Sequence, residues 1–384
     1  MAKSTEDNLI NEIYKSINSE ESIAYNLGED AWNPSDIVDW ISTGNEILDL
    51  YLSNRKYGGI PVGRITEIMG LESSGKSLLV AHMIAETQKK GGIAVLIDSE
   101  QAISKEFLTA LGVDLKKLIY IQTSVIETIF ESIQNIIETI RKKSNDVLVG
   151  IFVDSIMGAS DKTEMESTFD KSGYATQKSI IISKAMRKIN AMIGNQRVAL
   201  VFTNQLRTKV GGFIVGDPYQ TSGGKAIPFH SSLRVRLKHI GRLKRGSDVI
   251  GIKVKSEAIK SRLGPAYRQV EFDIYYSHGM DQYTTWFEHC KKYKLIVPAT
   301  EESENEKGKK TSKKVKGLWS IDSMPEIKFE QTELKNILKD EKIKSYLYDR
   351  LAEEIIFKYK PADDEFDVEG VEVDVGDDDI ETED

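Results

Sequence analysis

Thirteen residues decide the fold of this chain: the segment ITEIMGLESSGKS, which runs from Ile65 to Ser77. Its last eight residues satisfy the pattern G-x-x-x-x-G-K-S/T and lie between a strand-like apolar run and a stretch with helical spacing. In such a loop, backbone N–H groups turn inward around phosphates, the lysine reaches the β and γ oxygens, and the hydroxyl ligates Mg²⁺. The segment therefore predicts a P-loop that binds ATP and Mg²⁺ through Gly70, Glu72, Ser73, Ser74, Gly75, Lys76, Ser77 and Leu78.

The pattern around this segment is typical of a layered α/β domain. Apolar strand candidates at 65–69, 93–97, 147–153 and 198–203 alternate with helical stretches at 76–88, 127–142 and 178–193. Residues 233–237 and 250–254 alternate strictly, as half-exposed strands do, and 269–275 is a further strand candidate. We therefore expect a mostly parallel central sheet flanked by helices and extended by antiparallel strands.

Three other predicted strands end in residues suited to ATP hydrolysis. Asp154 follows 147–153 and would hold the metal through water, although an acid after a strand is often only a turn residue. Glu100 follows 93–97 and is the expected base for the attacking water, whereas Asp98 is expected to be structural because side chains alternate faces on extended backbone. The Gln205 amide, after 198–203, can sense the γ-phosphate, with loop capping as the alternative.

Composition limits the class of protein. The chain has 384 residues, of which 40% are hydrophobic and 29% charged, and this balance is typical of a folded protein with two or three domains. The single cysteine, Cys290, favours a reducing compartment and is expected to be a buried thiol. No apolar run approaches the roughly 20 residues of a membrane span, and the polar N-terminus lacks a signal-peptide core. We therefore expect a cytoplasmic protein with no membrane partner.

Charge is distributed unevenly along the chain. Residues 363–384 contain thirteen carboxylates and no Lys or Arg, so the net charge of −8 conceals a body of +5. Between Arg207 and Arg262 there are thirteen basic residues and three acids, an excess that suits a phosphate backbone or, alternatively, a solvated surface.

The two ends of the chain differ from its centre. Residues 8–18 form one amphipathic helical face that is expected to pack on a neighbour, and helical spacing at 334–355 predicts a small α-rich C-terminal subdomain. The lysine-rich stretch 301–316 lacks apolar periodicity and is expected to be a loop or a disordered insertion, and the acidic tail should remain unfolded.

Several motifs together resemble the RecA family of homologous-recombination ATPases. The resemblance covers about 23–272 in the family's order; beyond it, the C-terminal part looks closer to the recombinases of large bacteriophages. The motifs are 41–44, 62–64, 70–77, 97–100, 111–114, 153–155, 185–188, 204–207 and 222–226.

The resemblance implies roles for individual residues. Glu100 would activate water, Gln205 would sense the γ-phosphate and relay it to the next loop, and Phe107 would stack on adenine. Lys260 and Arg262 would reach the neighbouring protomer's ATP, with Arg262 in place of a lysine, and Phe229 would pack across the same interface.

The resemblance also implies two DNA-binding loops, at about 162–178 and 207–225. The second is rich in glycine and can order when phosphates bind, whereas the first departs more from the family because Ile180 stands at a usually basic position. The expected DNA-binding residues are Lys171, Lys178, Arg187, Arg207, Lys209, Val210, Gly211, Gly212, Phe213, Gly223, Gly224 and Lys225.

These observations predict a DNA-dependent ATPase recombinase that forms helical filaments on single-stranded DNA and pairs it with duplex DNA, aided by single-strand-binding and mediator proteins. The alternatives are a hexameric helicase or translocase of the same fold and a non-catalytic ATP-binding filament mediator. The expected domains are an N-terminal protomer-packing helix and linker (1–32), an ATPase core with DNA-binding loops (33–285), a C-terminal subdomain (286–360) and an acidic tail (361–384).

Overall fold

The computed structural model describes residues 5–19, 24–26, 36–37, 39–166, 174–194, 196–208, 219–221, 224–304 and 310–359. The chain divides into two compact units, residues 1–38 and residues 39–384. The first contains helix α1 (Thr5–Ile17), whose apolar side chains Leu9, Ile10 and Ile13 are exposed. The amphipathic helix predicted at 8–18 is therefore present, with an apolar face open to solvent.

The second unit contains all the strands and the other helices of the described chain. Its strands are β1 (Trp40–Ile41), β2 (Ile60–Pro61), β3 (Ile65–Gly70), β4 (Ile93–Asp98), β5 (Leu118–Gln122), β6 (Val149–Asp154), β7 (Val198–Thr208), β8 (Tyr219–Thr221), β9 (Leu233–Arg245), β10 (Asp248–Ser261), β11 (Gln269–Tyr275), β12 (Gly279–Asp281), β13 (Ile296–Glu304), β14 (Lys310–Ile321) and β15 (Met324–Glu330). Its helices are α2 (Glu46–Ser53), α3 (Lys76–Lys89), α4 (Lys105–Ala110), α5 (Ile126–Arg141), α6 (Lys162–Glu166), α7 (Tyr174–Ile193), α8 (Ala226–His230), α9 (Gln282–Lys292), α10 (Leu334–Ile337) and α11 (Glu341–Ile355).

A ten-stranded sheet organises this unit. Its main order is β12-β11-β10-β9-β3-β7-β6-β4-β5, and β8 pairs with β7 outside this path. The strands from β9 to β5 are parallel, and antiparallel pairing begins only between β9 and β10. The predicted α/β architecture with an antiparallel extension is thus confirmed, and β9 belongs to the parallel part.

Helices cover both faces at the centre of the parallel part and bury the strands there, whereas the edge strand β5 is partly exposed. Every residue of β3 and β6 is buried, as expected for strands with helices on each side. One face packs with α3 through residues such as Val80 and Ile84. The other packs with α5 and α7 through Ile129, Ile133 and Ile182, among others. The polar residues at the carboxyl ends of these strands therefore stand above a rigid core.

The C-terminal part corrects two expectations. Residues 301–304 and 310–316, expected to be loop or disordered insertion, form backbone pairs in a β13-β14-β15 antiparallel sheet. The backbone register places Glu301 opposite Lys313 and Glu304 opposite Lys310, and the absence of apolar alternation in these residues gave no indication of a strand. Helices α10 and α11 confirm the helical spacing, but the C-terminal part is mixed α and β rather than α-rich.

Cys290 is fully buried in α9, and burial raises the pKa of its thiol to about 12. The prediction of a buried thiol is confirmed. In the part of the chain that the structure describes, no helix is both long and apolar enough to cross a membrane.

Candidate active site and DNA interface

The P-loop connects β3 to α3 and depends on two glycines. A Cβ atom on Gly70 would lie 2.3 Å from the Ser74 hydroxyl and 2.7 Å from the Leu237 carbonyl oxygen. Gly75 has a φ of +93°, and a Cβ there would lie 2.6 Å from Ile274 Cδ1. Only glycine fits these close approaches without a shift of the surroundings. The predicted strand, loop and helix are therefore all present, and the loop between the strand and the helix is a tight turn.

Lys76 opens α3 and points its ammonium group back into the loop. Its Nζ donates to the carbonyl oxygens of Gly70 (3.0 Å) and Leu71 (2.7 Å). Burial lowers the pKa of Lys76, while the charges of Asp154, Glu100 and Glu72 act in the opposite direction. Since both hydrogen-bond partners are neutral, the positive charge remains available to an anion such as a phosphate.

Asp154 ends β6 and faces the start of α3. Its Oδ1 accepts a hydrogen bond of 2.5 Å from the Thr203 hydroxyl, and the Ser77 hydroxyl donates to the same carboxylate. Burial raises the pKa of Asp154, and these two hydrogen bonds oppose that rise. A buried carboxylate beside a hydroxyl is an oxygen-donor pair of the kind Mg²⁺ prefers, so the residues present fit the predicted metal.

Asp98 and Glu100 differ in their burial and in the hydrogen bonds that they accept. Asp98, at the end of β4, is buried, and its carboxylate accepts from the backbone N–H groups of Glu100 (3.0 Å) and Gln101 (2.8 Å) and from the Tyr120 hydroxyl (3.0 Å). Glu100 is exposed, and the Ser155 hydroxyl donates to its Oε1. Asp98 thus fixes the turn that presents Glu100 to solvent.

Gln205 lies within β7, next to the P-loop strand. Its Nε2 donates to Glu72 Oε1 of the P-loop at 2.7 Å, a contact that the sequence did not predict. β7 continues through Arg207 to Thr208, and Arg207 pairs with Gln220 of β8. The strand that carries Gln205 therefore leads directly into the segment predicted to bind DNA.

Two aromatic residues are candidates for contact with a purine base. Phe107, the predicted one, lies on α4 and is partly buried against the core, so its role at the base stays a prediction. Tyr276 is 66% exposed and follows Ile274, whose Cδ1 approaches Gly75. Tyr276 was not among the residues predicted from the sequence, where its only signal is an aromatic residue directly after the strand candidate 269–275.

The residues predicted to act across a protomer interface lie together. Lys260 Nζ donates to the carbonyl oxygens of Pro228 (2.7 Å) and Phe229 (3.0 Å), and the Phe229 ring is 69% exposed. Arg262 donates its backbone N–H to the Ser232 carbonyl at 2.9 Å. Burial, followed by the nearby charges of Arg262 and Arg234, lowers the pKa of Lys260. An exposed aromatic ring beside concentrated positive charge suits an interface that meets an anion.

The predicted DNA-binding residues are only partly described. Arg187, Arg207, Gly224 and Lys225 are exposed. Lys178 is half-buried, and its Nζ donates to the carbonyl oxygens of Met157 and Ala159, so this lysine secures the loop after β6. The other predicted residues lie outside the described residues: Lys171, Lys209, Val210, Gly211, Gly212, Phe213 and Gly223.

Comparison with known proteins agrees with this arrangement. A model of the RecA N-terminal domain family matches residues 6–281, a span that includes every element of the site described above. Protein RecA of Aquifex aeolicus is 37% identical over 263 residues, which cover 68% of this chain and 70% of the relative. Protein RecA of Clostridium acetobutylicum is 38% identical over 245 residues (64% of this chain and 67% of the relative), and that of Nitratiruptor sp. 37% over 260 residues (67% and 72%). The chain therefore belongs to the RecA family.

Proposed function

We propose that this protein hydrolyses ATP at a site shared by two protomers and uses the state of that site to control its hold on DNA. As a member of the RecA family, the protein is a DNA-dependent ATPase and a recombinase that exchanges strands in recombination and repair. The observation that carries the site assignment is the position of the Lys76 ammonium group, which donates to the carbonyl oxygens of Gly70 (3.0 Å) and Leu71 (2.7 Å) inside the P-loop.

Ser77 and Asp154 would hold Mg²⁺, which supplies positive charge beside the phosphates. Lys76 would exchange its two carbonyl partners for phosphate oxygens. Glu100 would accept the proton of the attacking water, and the Ser155 hydroxyl, bonded to its Oε1, would leave Oε2 for that proton. Phe107 and Tyr276 are the candidates for contact with the adenine.

Lys260 and Arg262 would act in trans, on the ATP of the neighbouring protomer, with Phe229 packed across the same interface. The exposed ring and the cationic cluster beside it support this assignment. A positive charge supplied by a neighbour stabilises the charge that develops in phosphoryl transfer. In a homo-oligomeric filament, activity would then depend on assembly.

The DNA-binding role is proposed for Arg187, Arg207, Lys225 and the glycine-rich segment that follows β7. Gln205 lies on β7 only two residues before Arg207, and its amide already contacts the P-loop. A γ-phosphate that draws the amide away from Glu72 would therefore shift the start of the DNA-binding segment. Occupancy of the ATP site and order in the DNA loop would change together.

Three assignments complete the proposal. The exposed apolar face of α1 would pack on another protomer, which supports a separate N-terminal segment. The single, buried cysteine supports a cytoplasmic location. Single-strand-binding and mediator proteins are proposed as partners because filament assembly competes with other proteins for single-stranded DNA.

A mixing experiment tests the shared site. The variant Lys76→Ala and the double variant Lys260→Ala, Arg262→Ala are each expected to be inactive with single-stranded DNA. When they are mixed in equal amounts, about one quarter of the interfaces of a randomly assembled filament pair an intact P-loop with intact cations, and activity should return to about that fraction. Each variant alone at the same total concentration is the control. Absence of recovery in mixed filaments that electron microscopy shows to be intact would contradict the shared site.

A further inference from the structure

A fully buried carboxylate lies in the centre of the sheet, below the P-loop. Glu67, on β3, has no exposed surface, and each of its two oxygens is held from a different neighbouring strand. Asn204 Nδ2 on β7 donates to Oε1 at 2.8 Å, and Arg234 Nε on β9 donates to Oε2 at 2.6 Å. Glu67 therefore joins three parallel strands through its side chain as well as through the backbone ladder.

Each partner of Glu67 stands beside a residue proposed to act on ATP. On one side, Asn204 directly precedes Gln205, and these two residues pair with Met69 and Gly70 at the end of β3. On the other side, Arg234 is the register partner of Lys260 across β9 and β10. Directly opposite residues point to the same face of a sheet, so the side chains of Glu67, Arg234 and Lys260 share a face. Glu67 therefore lies between the strand of the proposed γ-phosphate sensor, β7, and that of the proposed trans-acting cation, β10.

The chemistry of this cluster makes its geometry stiff. A buried carboxylate is strongly disfavoured unless it is paired and hydrogen-bonded, and both oxygens of Glu67 depend on these two donors. Any movement of Asn204 or Arg234 away from Glu67 would leave a charge uncompensated inside the sheet. The guanidinium of Arg234 also adds to the positive charge that lowers the pKa of Lys260, so Glu67 offsets part of the repulsion that Lys260 experiences.

We propose that Glu67 is a positioning residue of the ATPase site, which fixes Gln205 through Asn204 and Lys260 through Arg234. The inference rests on the proposed roles of Gln205 and Lys260. The Glu67 carboxylate then positions Gln205 in the protomer's own ATP site. It also positions Lys260, which acts on the ATP of the neighbouring protomer. Glu67 is fully buried within the sheet, so its loss should lower turnover without weakening nucleotide binding.

The principal test is Glu67→Gln, which keeps the shape of the side chain and removes its charge. In the ATPase assay with single-stranded DNA, kcat should fall about 10-fold or more while KM for ATP changes less than about 3-fold. The matched control is Glu257→Gln, because Glu257 on β10 is also held by an arginine of β9, Arg236, whose Nη2 donates to it at 2.6 Å. The control should keep the kcat of the unaltered protein.

Two further variants separate positioning from folding. Arg234→Lys keeps the positive charge and loses the Nε donor, so it should fold and still lower kcat several-fold, even if Glu67→Gln proves unstable. The charge-balanced double variant Glu67→Gln, Arg234→Gln should recover the thermal midpoint but not kcat. Parallel recovery of both quantities would show that the pair is merely structural and would overturn the inference.

Gln205→Ala and Lys260→Ala, measured alongside, distinguish this inference from the proposal on which it rests. If both lose activity while Glu67→Gln and Arg234→Lys keep it, the positioning role fails and the proposed roles of Gln205 and Lys260 stand. If Gln205→Ala or Lys260→Ala keeps full activity, both the proposed roles and the inference fail.

Discussion

Two regions in contact with α3 concentrate charged and polar side chains, and they differ in how completely the hydrogen-bonding groups of those side chains are satisfied. The first is the site edge: Lys76, Glu100, Asp154 and Gln205 at the carboxyl ends of β3, β4, β6 and β7. The second is the α2 junction: Thr43, Asn45, Asp49, His82 and Thr285, where α2, α3 and α9 meet.

The α2 junction is closed upon itself. Asp49 accepts from the Ser42 hydroxyl (2.5 Å), the Thr43 N–H (2.8 Å) and the Thr43 hydroxyl (2.7 Å). Asn45 caps α2 and donates its side-chain amide to the Thr285 hydroxyl at 2.9 Å. His82 Nε2 accepts from the backbone N–H of Met280 at 3.1 Å. Since these groups find their partners within the chain, the region contributes to stability.

The site edge is satisfied only in part. Lys76 rests on two neutral carbonyls, Glu100 is exposed with one oxygen engaged, and Gln205 is held by a flexible glutamate of the P-loop. These partners are of a kind that a phosphate, a metal ion or a water molecule can replace. Polar clusters whose groups are all paired within the chain therefore stabilise this fold, whereas the partly paired groups of the site edge are prepared to bind a ligand.

The substitution with the largest expected effect disrupts the site edge and leaves the α2 junction unchanged. Glu100→Gln should lower ATP turnover about 100-fold or more, because a positioned base contributes at least that much, while ATP binding persists. Turnover with single-stranded DNA and nucleotide affinity are the measurements. Glu106→Gln, an exposed acid on α4, is the control and should behave as the unaltered protein. Parental turnover in Glu100→Gln would mean that another group is the base.

The second prediction breaks the α2 junction and leaves the site edge intact. Asp49→Asn replaces one carboxylate oxygen by an N–H₂ group, which then faces either the Ser42 hydroxyl or the two Thr43 donors, and we expect a loss of about 3 kcal/mol in the free energy of unfolding. Chemical denaturation measures the loss, and kcat per folded molecule at low temperature should be unchanged. Normal stability of the variant would contradict this prediction. A low kcat per folded molecule would also contradict it, because the α2 junction would then affect the site edge.

The third prediction uses pH. Burial lowers the pKa of His82 to about 4, below its usual value, so the unfolded chain binds the proton first as pH falls. The stability that His82 contributes is present above about pH 6.5 and is lost as pH falls towards 4, by about 3 kcal/mol. Burial raises the pKa of Asp49 to about 7, so the stability that Asp49 contributes changes with pH in the opposite direction. The contribution of His82 is therefore measured as the difference in stability between the unaltered protein and His82→Gln at each pH. Parallel pH profiles of the two proteins would contradict this prediction.

The smallest expected effect lies at the turn that presents Glu100. Tyr120→Phe removes the hydroxyl that donates to Asp98, and kcat should fall about two- to threefold because Asp98 still holds the Glu100 N–H. Asp98→Asn should lower kcat further, and Tyr120→Phe should then add nothing, since both act through one contact. Additive effects of the two substitutions would show that Tyr120 acts elsewhere.

The sequence by itself determined the parts of this protein that are written in short, local patterns. The P-loop and the strands and helices around it were predictable, because each depends on a motif or a periodicity within a few residues. The buried Cys290 and the amphipathic α1 were predictable for the same reason. The roles of Glu100, Asp154 and Gln205 stay predictions. The resemblance to bacteriophage recombinases and the domain boundaries stay predictions.

Only the tertiary structure decided which distant residues meet. The pairs Glu72 with Gln205, Glu67 with Asn204 and Arg234, and Asp98 with Tyr120 join strands that register alone brings together, and no local pattern encodes that register. The backbone pairing of 301–304 with 310–313 was missed because these residues carry no apolar periodicity. A buried polar contact depends on both partners at once, so its presence is a property of the packed sheet and not of either segment.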